Sequence, residues 1–238
     1  MPVPSQRFIR NTLLGALDLR DYEAVRAVAE PVSLARRDVL IAAGQPITHV
    51  HFLESAVVSE VTAATAGRRI EVGLTGREGF VGVPLLLDVD RTPYESFVQI
   101  EGQALRVESA AFLRLIQAHD GLRRCLSLYA YVVHLQTADT ALSNGTHTLE
   151  ERLARWLLMC HDRVVGNALP VTHAFLSTML GVRRPGVTTA IHSLEGDGGI
   201  RARRSQVEVI DREKLKAAAG GSYGMPESEY RRLIGVAP

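Results

Sequence analysis

Val171-Thr172-His173-Ala174-Phe175-Leu176-Ser177-Thr178-Met179-Leu180-Gly181-Val182-Arg183-Arg184-Pro185-Gly186-Val187-Thr188-Thr189-Ala190-Ile191-His192-Ser193-Leu194-Glu195 carries more structural information than any other part of the chain. Thr172 is a good N-cap for a helix whose inward side is Phe175, Leu176, Met179 and Leu180. Gly181 then supplies the positive-φ residue of a tight turn, and Val182 plugs the angle before the next helix. That second helix buries Val187, Ala190, Ile191 and Leu194 and leaves Arg184, Thr188, Thr189 and His192 pointing outward. The pattern predicts a helix-turn-helix, whose second helix enters the DNA major groove with its N-terminal side chains against base edges.

The chemistry of the outward residues agrees. An arginine in the first turn forms a bidentate pair with guanine O6 and N7, and a threonine offers a hydroxyl as well as a methyl for thymine. The amides of the helix N-terminus add partial positive charge for a phosphate. Downstream, Gly198-Gly199 turns into Ile200-Arg201-Ala202-Arg203-Arg204-Ser205-Gln206-Val207-Glu208-Val209-Ile210, read as a two-stranded wing with arginines near its tip. From Thr172 to Gln206 there are five arginines against Glu195 and Asp197. The candidate DNA-binding residues are Thr172, Arg183, Arg184, Thr188, Thr189, His192, Arg201, Arg203 and Arg204, with the wing arginines as phosphate clamps.

Working back toward the N-terminus, Thr148 and Glu151 have capping-box spacing and open a helix through Leu153, Trp156, Leu157 and Met159. Before it, Leu122, Leu126, Tyr129, Val133 and Gln136 mark a longer helix expected to run to about Ser143, with Gly121 interrupting the chain ahead of it and Asn144-Gly145-Thr146 stopping it. A long helix between a β module and a helical module invites a second copy along its exposed apolar side, the alternative being a helix packed onto its own barrel. Phe112, Leu115 and Ile116 mark a short helix upstream. From Ser33 to about Arg106, short β-rich runs recur: Val39–Ile41, Val50–Leu53, Val57–Val61, Ile70–Leu74, Phe97–Ile100 and Ala104–Val107. Turns at Gly44-Gln45-Pro46, Ala66-Gly67-Arg68 and Gly76-Arg77-Glu78-Gly79 would be the corners of a closed sandwich or barrel. A short amphipathic helix is expected between Asp18 and Val32.

The whole chain is 238 residues with 27 basic and 26 acidic side chains, so it is no polycation; any nucleic-acid affinity must come from local charge. Two cysteines, Cys125 and Cys160, are too few for a disulfide framework or a four-thiolate cluster from one chain and suit a reducing cytoplasm. The opening MPVPSQRFIR lacks the apolar run of a signal peptide, and polar residues interrupt every apolar stretch, so a cytoplasmic protein without membrane contact is expected.

Taken together, these residues resemble the Crp–Fnr family of bacterial transcription regulators from about Ala24 to Val209. Gly44-Gln45-Pro46 followed by Phe52-Leu53-Glu54-Ser55-Ala56-Val57 is similar to the family's strand-turn-strand, with Ala56 where glycine is usual. Gly76-Arg77-Glu78-Gly79-Phe80-Val81-Gly82 is similar to its second landmark. The resemblance implies an α+β fold: an N-terminal cyclic-nucleotide-binding-type β-barrel (jelly roll), a long dimerisation helix and a C-terminal winged helix-turn-helix. The expected boundaries are 1–118 for the sensor barrel, 119–145 for the dimer helix and hinge, 146–220 for the DNA-binding domain and 221–238 for a tail. The implied partners are double-stranded DNA at a palindromic operator, a second copy of the chain, RNA polymerase and an unidentified small-molecule effector. No enzymatic activity, cofactor or metal is implied.

Departures from the family pattern shape what the resemblance carries over. Gly82-Val83-Pro84 stands where cyclic-nucleotide binders have Gly-Glu-Leu, and Glu95-Ser96 aligns with their Arg-Ser or Arg-Thr, so cyclic AMP is disfavoured as effector; Arg91-Thr92 lies four residues away. The N-terminal cysteine cluster of the oxygen-sensing members is missing, and a lone histidine is more often a hydrogen-bonded residue than a haem ligand. In the reading helix, Arg183-Arg184-Pro185-Gly186 replaces the usual Ser-Arg-Glu-Thr, and Thr189 stands where a later arginine is common. Arg184 matches the base-contacting arginine, proline is tolerated in a first helical turn, and the operator should differ from that of the cyclic-AMP receptor. Two other readings stay in view. One is a cyclic-nucleotide-fold interaction protein that no longer binds DNA. The other is a cupin-like metal enzyme built on His49, His51 and Glu54.

Overall fold

The computed structural model describes residues 3–63 and 69–236. They form two compact units, one made of the chain up to Glu60, Thr75–His134 and the residues from Glu227 onward, the other of Val61–Leu74 and Leu135–Pro226. In chain order the elements are α1 (Thr12–Gly15), α2 (Leu19–Arg26), β1 (Glu30–Leu34), β2 (Val39–Ile41), β3 (His49–Leu53), β4 (Val57–Ala63), β5 (Arg69–Thr75), β6 (Phe80–Val81), α3 (Val83–Leu86), β7 (Glu95–Ile100), β8 (Gly102–Glu108), α4 (Ser109–Ala118) and α5 (Asp120–Thr146). They continue as α6 (Leu149–Arg163), β9 (Ala168–Leu169), α7 (His173–Met179), α8 (Arg184–Gly196), β10 (Ile200–Arg203), β11 (Gln206–Val209), α9 (Arg212–Ala218) and α10 (Met225–Ile234).

The β-rich runs build the two four-stranded sheets of a jelly roll, in the orders β1-β8-β3-β6 and β2-β7-β4-β5. Strand β3 lies inside its sheet, antiparallel to β8 with His49 opposite Glu108 and Leu53 opposite Ala104. Its neighbours explain why Val50 to Leu53 are all buried. The core of this unit centres on a ring cluster in which Phe80 stands 5.4 Å from Phe52, 5.9 Å from Phe112 and 5.5 Å from Tyr129. Asn11 pins the N-terminal segment to it: fully buried, its side chain donates to the carbonyls of Leu53 (2.9 Å) and Gly79 (2.8 Å).

Several expectations need adjustment. The N-terminal helix ends at Arg26, and Glu30-Pro31-Val32-Ser33-Leu34 is strand β1. Proline is admissible there because β1 is an edge strand, and only Leu34 is buried, which is why hydrophobic alternation does not betray it. The break before the long helix falls at His119, whose extended backbone (φ −129°, ψ 90°) ends α4, and Gly121 is already helical. Helix α5 runs through Asn144-Gly145 to Thr146 instead of stopping at Ser143. The corner expected at Ala66-Gly67-Arg68 lies outside the described residues. The last helix, α10, joins the barrel unit, where Tyr230 is buried and its hydroxyl meets that of Thr12 at 2.9 Å.

In the other unit, α6 is the central helix. Thr148 and Glu151 close the capping box ahead of it, and its residues from Leu153 to Cys160 are buried on every side because α8, α9 and β9 pack around it. The Trp156 indole donates to a Glu71 carboxylate oxygen at 2.6 Å, and Arg155 pairs with Asp139 at 3.2 Å. Near the C-terminal end of α6, Arg212 of α9 pairs with Asp162, and the Tyr223 hydroxyl donates to the same carboxylate at 2.6 Å. Among the described residues no helix is long and apolar enough to cross a membrane.

Candidate nucleic-acid interface

Local capping sets the first helix of the motif. The Thr172 hydroxyl accepts the Phe175 amide at 3.1 Å, so α7 begins at His173. That hydroxyl keeps its own hydrogen for another acceptor. Helix α7 buries Leu176 and Met179, and Phe175 meets the Trp156 ring edge-on at 6.2 Å. Gly181 takes φ +65°, a conformation that would strain a side-chain-bearing residue, and turns the chain. The Val182 amide donates back to the Ser177 carbonyl at 3.0 Å, fixing the turn.

Helix α8 starts at Arg184 with Pro185 in its first turn, where an amide hydrogen would have no partner anyway. Val187, Ala190, Ile191 and Leu194 are buried, as their spacing predicts. On the opposite side Arg184, Thr189 and His192 are exposed, as is Arg183 at the N-cap. The side chains of Arg183, Arg184 and His192 make no hydrogen bond or ion pair among the described residues. Three unengaged side chains on one helix can reach an external partner without first giving up an internal one.

Thr188 differs from its neighbours. It is half-buried, lies 3.1 Å from His173 Nδ1, and its hydroxyl donates to the Arg184 carbonyl at 3.3 Å. It braces α8 against the start of α7. Thr189 also bonds within the helix, to the Pro185 carbonyl at 3.2 Å, but the residue stays exposed.

The wing is three-stranded where the sequence suggested two, because β9 adds to the β10–β11 hairpin in the order β10-β11-β9. A two-residue strand is too short to read from alternation. Arg201 and Arg203 share the Glu208 carboxylate at 3.8 and 3.7 Å, and Arg204 sits exposed at the hairpin tip beside Ser205, which has φ +60°. Ion pairs this exposed contribute only about 0–1 kcal/mol, so a phosphate can replace Glu208 at small cost. Glu195 at the end of α8 accepts the Ala202 amide at 2.9 Å, fixing the wing to the helix it flanks. Arg184 and the wing arginines thus belong to directly connected elements.

The barrel unit holds a separate feature, a cavity of about 220 Å³ lined mostly by apolar side chains. Its walls include Val58 and Glu60 of β4, Val81 to Pro84, Thr92 and Ser96. Glu60 is the residue that sequence reading missed. Burial pushes its carboxyl above the usual range, and its hydrogen bond from Ser96, 3.4 Å long, offsets this only in part. The alternation of Val58 and Glu60 on one strand side was the available signal. Glu95, the carboxylate the alignment suggested, does not line the cavity.

The cupin-like reading loses its third ligand. Glu54 accepts the backbone amides of Arg10 at 3.0 Å and Asn11 at 2.9 Å, which commits it to the N-terminal segment. The His49 and His51 rings stand 6.3 Å apart. Among the described residues no group of three His, Cys, Asp or Glu side chains is placed to hold a metal.

Comparison with known proteins agrees with the architecture. The family model for the cyclic nucleotide-binding domain matches residues 31–119, and that for the Crp-like helix-turn-helix domain matches residues 151–218. None of the curated proteins matches the chain. Among solved structures, the chain is similar in fold to a CRP-family transcriptional regulator of Thermus thermophilus, with TM-score 0.68, 19% identity, and coverage of 81% of this chain and 98% of that one. It is also similar to FixK2 of Bradyrhizobium japonicum (TM-score 0.66, 17% identity, 80% and 97% covered). The c-di-GMP responsive global regulator CLP of Xanthomonas campestris gives TM-score 0.64 at 20% identity, with 81% and 99% covered. With a cyclic nucleotide-binding fold, a long helix and a Crp-like helix-turn-helix in this order, the chain belongs to the Crp–Fnr family of DNA-binding transcription regulators.

Proposed function

We propose that this regulator binds a palindromic operator as a homodimer in the cytoplasm, with one α8 in each of two successive major grooves. The observation that carries this reading is the division of α8 into a buried apolar side and an outward side headed by the unengaged Arg183 and Arg184, next to the arginines of the wing. In this reading Arg184 reads guanine, Thr189 and His192 contact neighbouring bases, and Thr172, Arg183, Arg201, Arg203 and Arg204 hold phosphates. Thr188 contributes chiefly by fixing the approach of α8 to α7.

Regulators of this family bind DNA and act as dimers. A seam on α5 supports the same assembly here. Leu128, Tyr131, Leu135, Ala138, Leu142 and Gly145 follow one another at alternating steps of three and four residues, the heptad spacing of a coiled coil. Tyr131 is 47% exposed and Leu142 57%, so the stripe presents apolar side chains that a partner helix could cover. The pair of reading helices would then meet half-sites about 34 Å apart, one turn of DNA. RNA polymerase would be the partner on the promoter. Ligand occupancy of the barrel, by an effector other than cyclic AMP, would shift the population between dimer geometries of different operator affinity.

The test is the salt dependence of DNA binding by the protein and by a variant with Arg184, Arg201, Arg203 and Arg204 all changed to alanine. Each lost phosphate contact should reduce the slope of log affinity against log salt by roughly 0.9. Equal slopes for the two proteins would instead favour an interaction protein without DNA binding.

A further inference from the structure

We propose that the cavity of the barrel unit binds a small apolar amine, with its ammonium group on the Glu60 carboxylate. This rests on the effector reading above and gives it a ligand class. The cavity is small, below the roughly 300–1,000 Å³ of sites for drug-sized molecules. Val58, Phe80, Val81, Val83, Pro84 and Leu87 supply apolar wall for a hydrocarbon body.

The polar groups around that wall are unbalanced. Thr75, Thr92 and Ser96 offer hydroxyls, and Glu60 is the half-buried acid among them. Among the described residues Arg91 is the one cation lining the cavity, and its guanidinium, 57% exposed, turns to the exposed Asp90 at 3.0 Å. Among the described residues Glu60 has a single hydrogen-bond partner, Ser96, although a carboxylate has acceptor sites for about four donors. A carboxylate at the wall of a mostly apolar cavity, with one protein donor, has acceptor sites open to a ligand cation. Desolvation holds the Glu60 carboxyl above its ordinary range, and an ammonium group beside it would favour the ionised form again.

An anion faces the opposite balance. A cyclic phosphate would have to approach Glu60 with no guanidinium turned toward it, and Val83-Pro84 offers no carboxylate for a ribose hydroxyl. Glu60 and Val133, both lining the cavity, stand at or next to the points where the chain passes from the first unit into the second, on β4 and α5 respectively. A ligand touching them acts on the two segments that continue beyond the barrel.

Calorimetry on the full-length protein with 2-phenylethylamine, 2-phenylethanol, phenylacetate and cyclic AMP tests the assignment. The amine should bind about tenfold or more tightly than each of the others, and Glu60→Gln should remove roughly that factor while Glu60→Asp keeps the preference. Melting curves establish that the variants are folded; if Glu60→Gln is not, the ranking of the four compounds on the native protein decides alone. Phenylacetate, the alcohol or cyclic AMP binding as tightly as the amine, unchanged amine affinity in a folded Glu60→Gln protein, or binding of none of the four would overturn the proposal. Operator anisotropy on the same samples separates the two levels. Amine binding that leaves operator affinity unchanged supports the ligand class and removes the effector reading, whereas an operator response to phenylacetate with no amine binding removes the ligand class and keeps the effector reading.

Discussion

His51 shows how a single burial changes a residue's meaning. As part of His49-Val50-His51 it invites a metal-site reading, yet in the sheet it is 6% exposed and its Nδ1 has no hydrogen-bond partner among the described residues. Burial, with the nearby charges of His49 and Arg106, pushes its pKa from 6.5 down to about 4. Between these values the unfolded chain carries a proton there that the folded one does not. His51 therefore costs no stability above about pH 6.5 and up to about 3 kcal/mol by pH 4, a loss that accumulates as the pH falls. His51→Gln should flatten that limb in urea titrations across the same range; an unchanged limb would contradict the assignment. Gly102 is a second residue whose role only the fold reveals. A Cβ there would stand 2.4 Å from the Ala56 backbone nitrogen, which cannot swing aside as a side chain can. Gly102→Ala should lower stability by about 1–3 kcal/mol in denaturant melts without altering the DNA-binding unit's own contacts. A lone acid inside Val57-Val58-Ser59-Glu60-Val61 reads as the solvent side of a strand, and its alternation with Val58 is the local sign that it faces the cavity instead.

At the scale of elements, legibility followed how local the determining forces are. The capping box at Thr148, the N-cap at Thr172 and the turn at Gly181 involve neighbours in sequence and were readable there. Strands β6 and β9 have two residues each and exist because other strands pair with them, so no periodicity announces them. Helix α5 passes Asn144-Gly145 because a weak breaker near a helix end does not outweigh the turns already formed. The same helix carries the dimer prediction. Leu142→Glu together with Leu135→Glu would place repelling charges along the seam, and sedimentation equilibrium should then report a monomer whose far-ultraviolet circular dichroism matches the unaltered protein. A dimer of unchanged stability would show that copies associate through another surface.

For the whole molecule, the order of barrel, long helix and helix-turn-helix was legible because each part has its own period, two residues in the barrel and 3.6 in the helices. The joining of α10 to the barrel unit was not: Tyr230 and Thr12 are 218 positions apart, and neither sequence neighbourhood points to the other. Nor did near-neutral composition conceal function, because the stretch from Thr172 to Gln206 carries five arginines against Glu195 and Asp197, a local excess of positive charge. The central claim is that two α8 helices read one duplex. Selection of bound DNA from a random pool tests it most directly. A two-fold symmetric consensus should emerge, its half-sites centred about 10 base pairs apart, and Arg184→Ala should relax one base position in each half by roughly 1–3 kcal/mol of discrimination. Enrichment of an unsymmetrical sequence, or of none, or a consensus indifferent to Arg184 would contradict it.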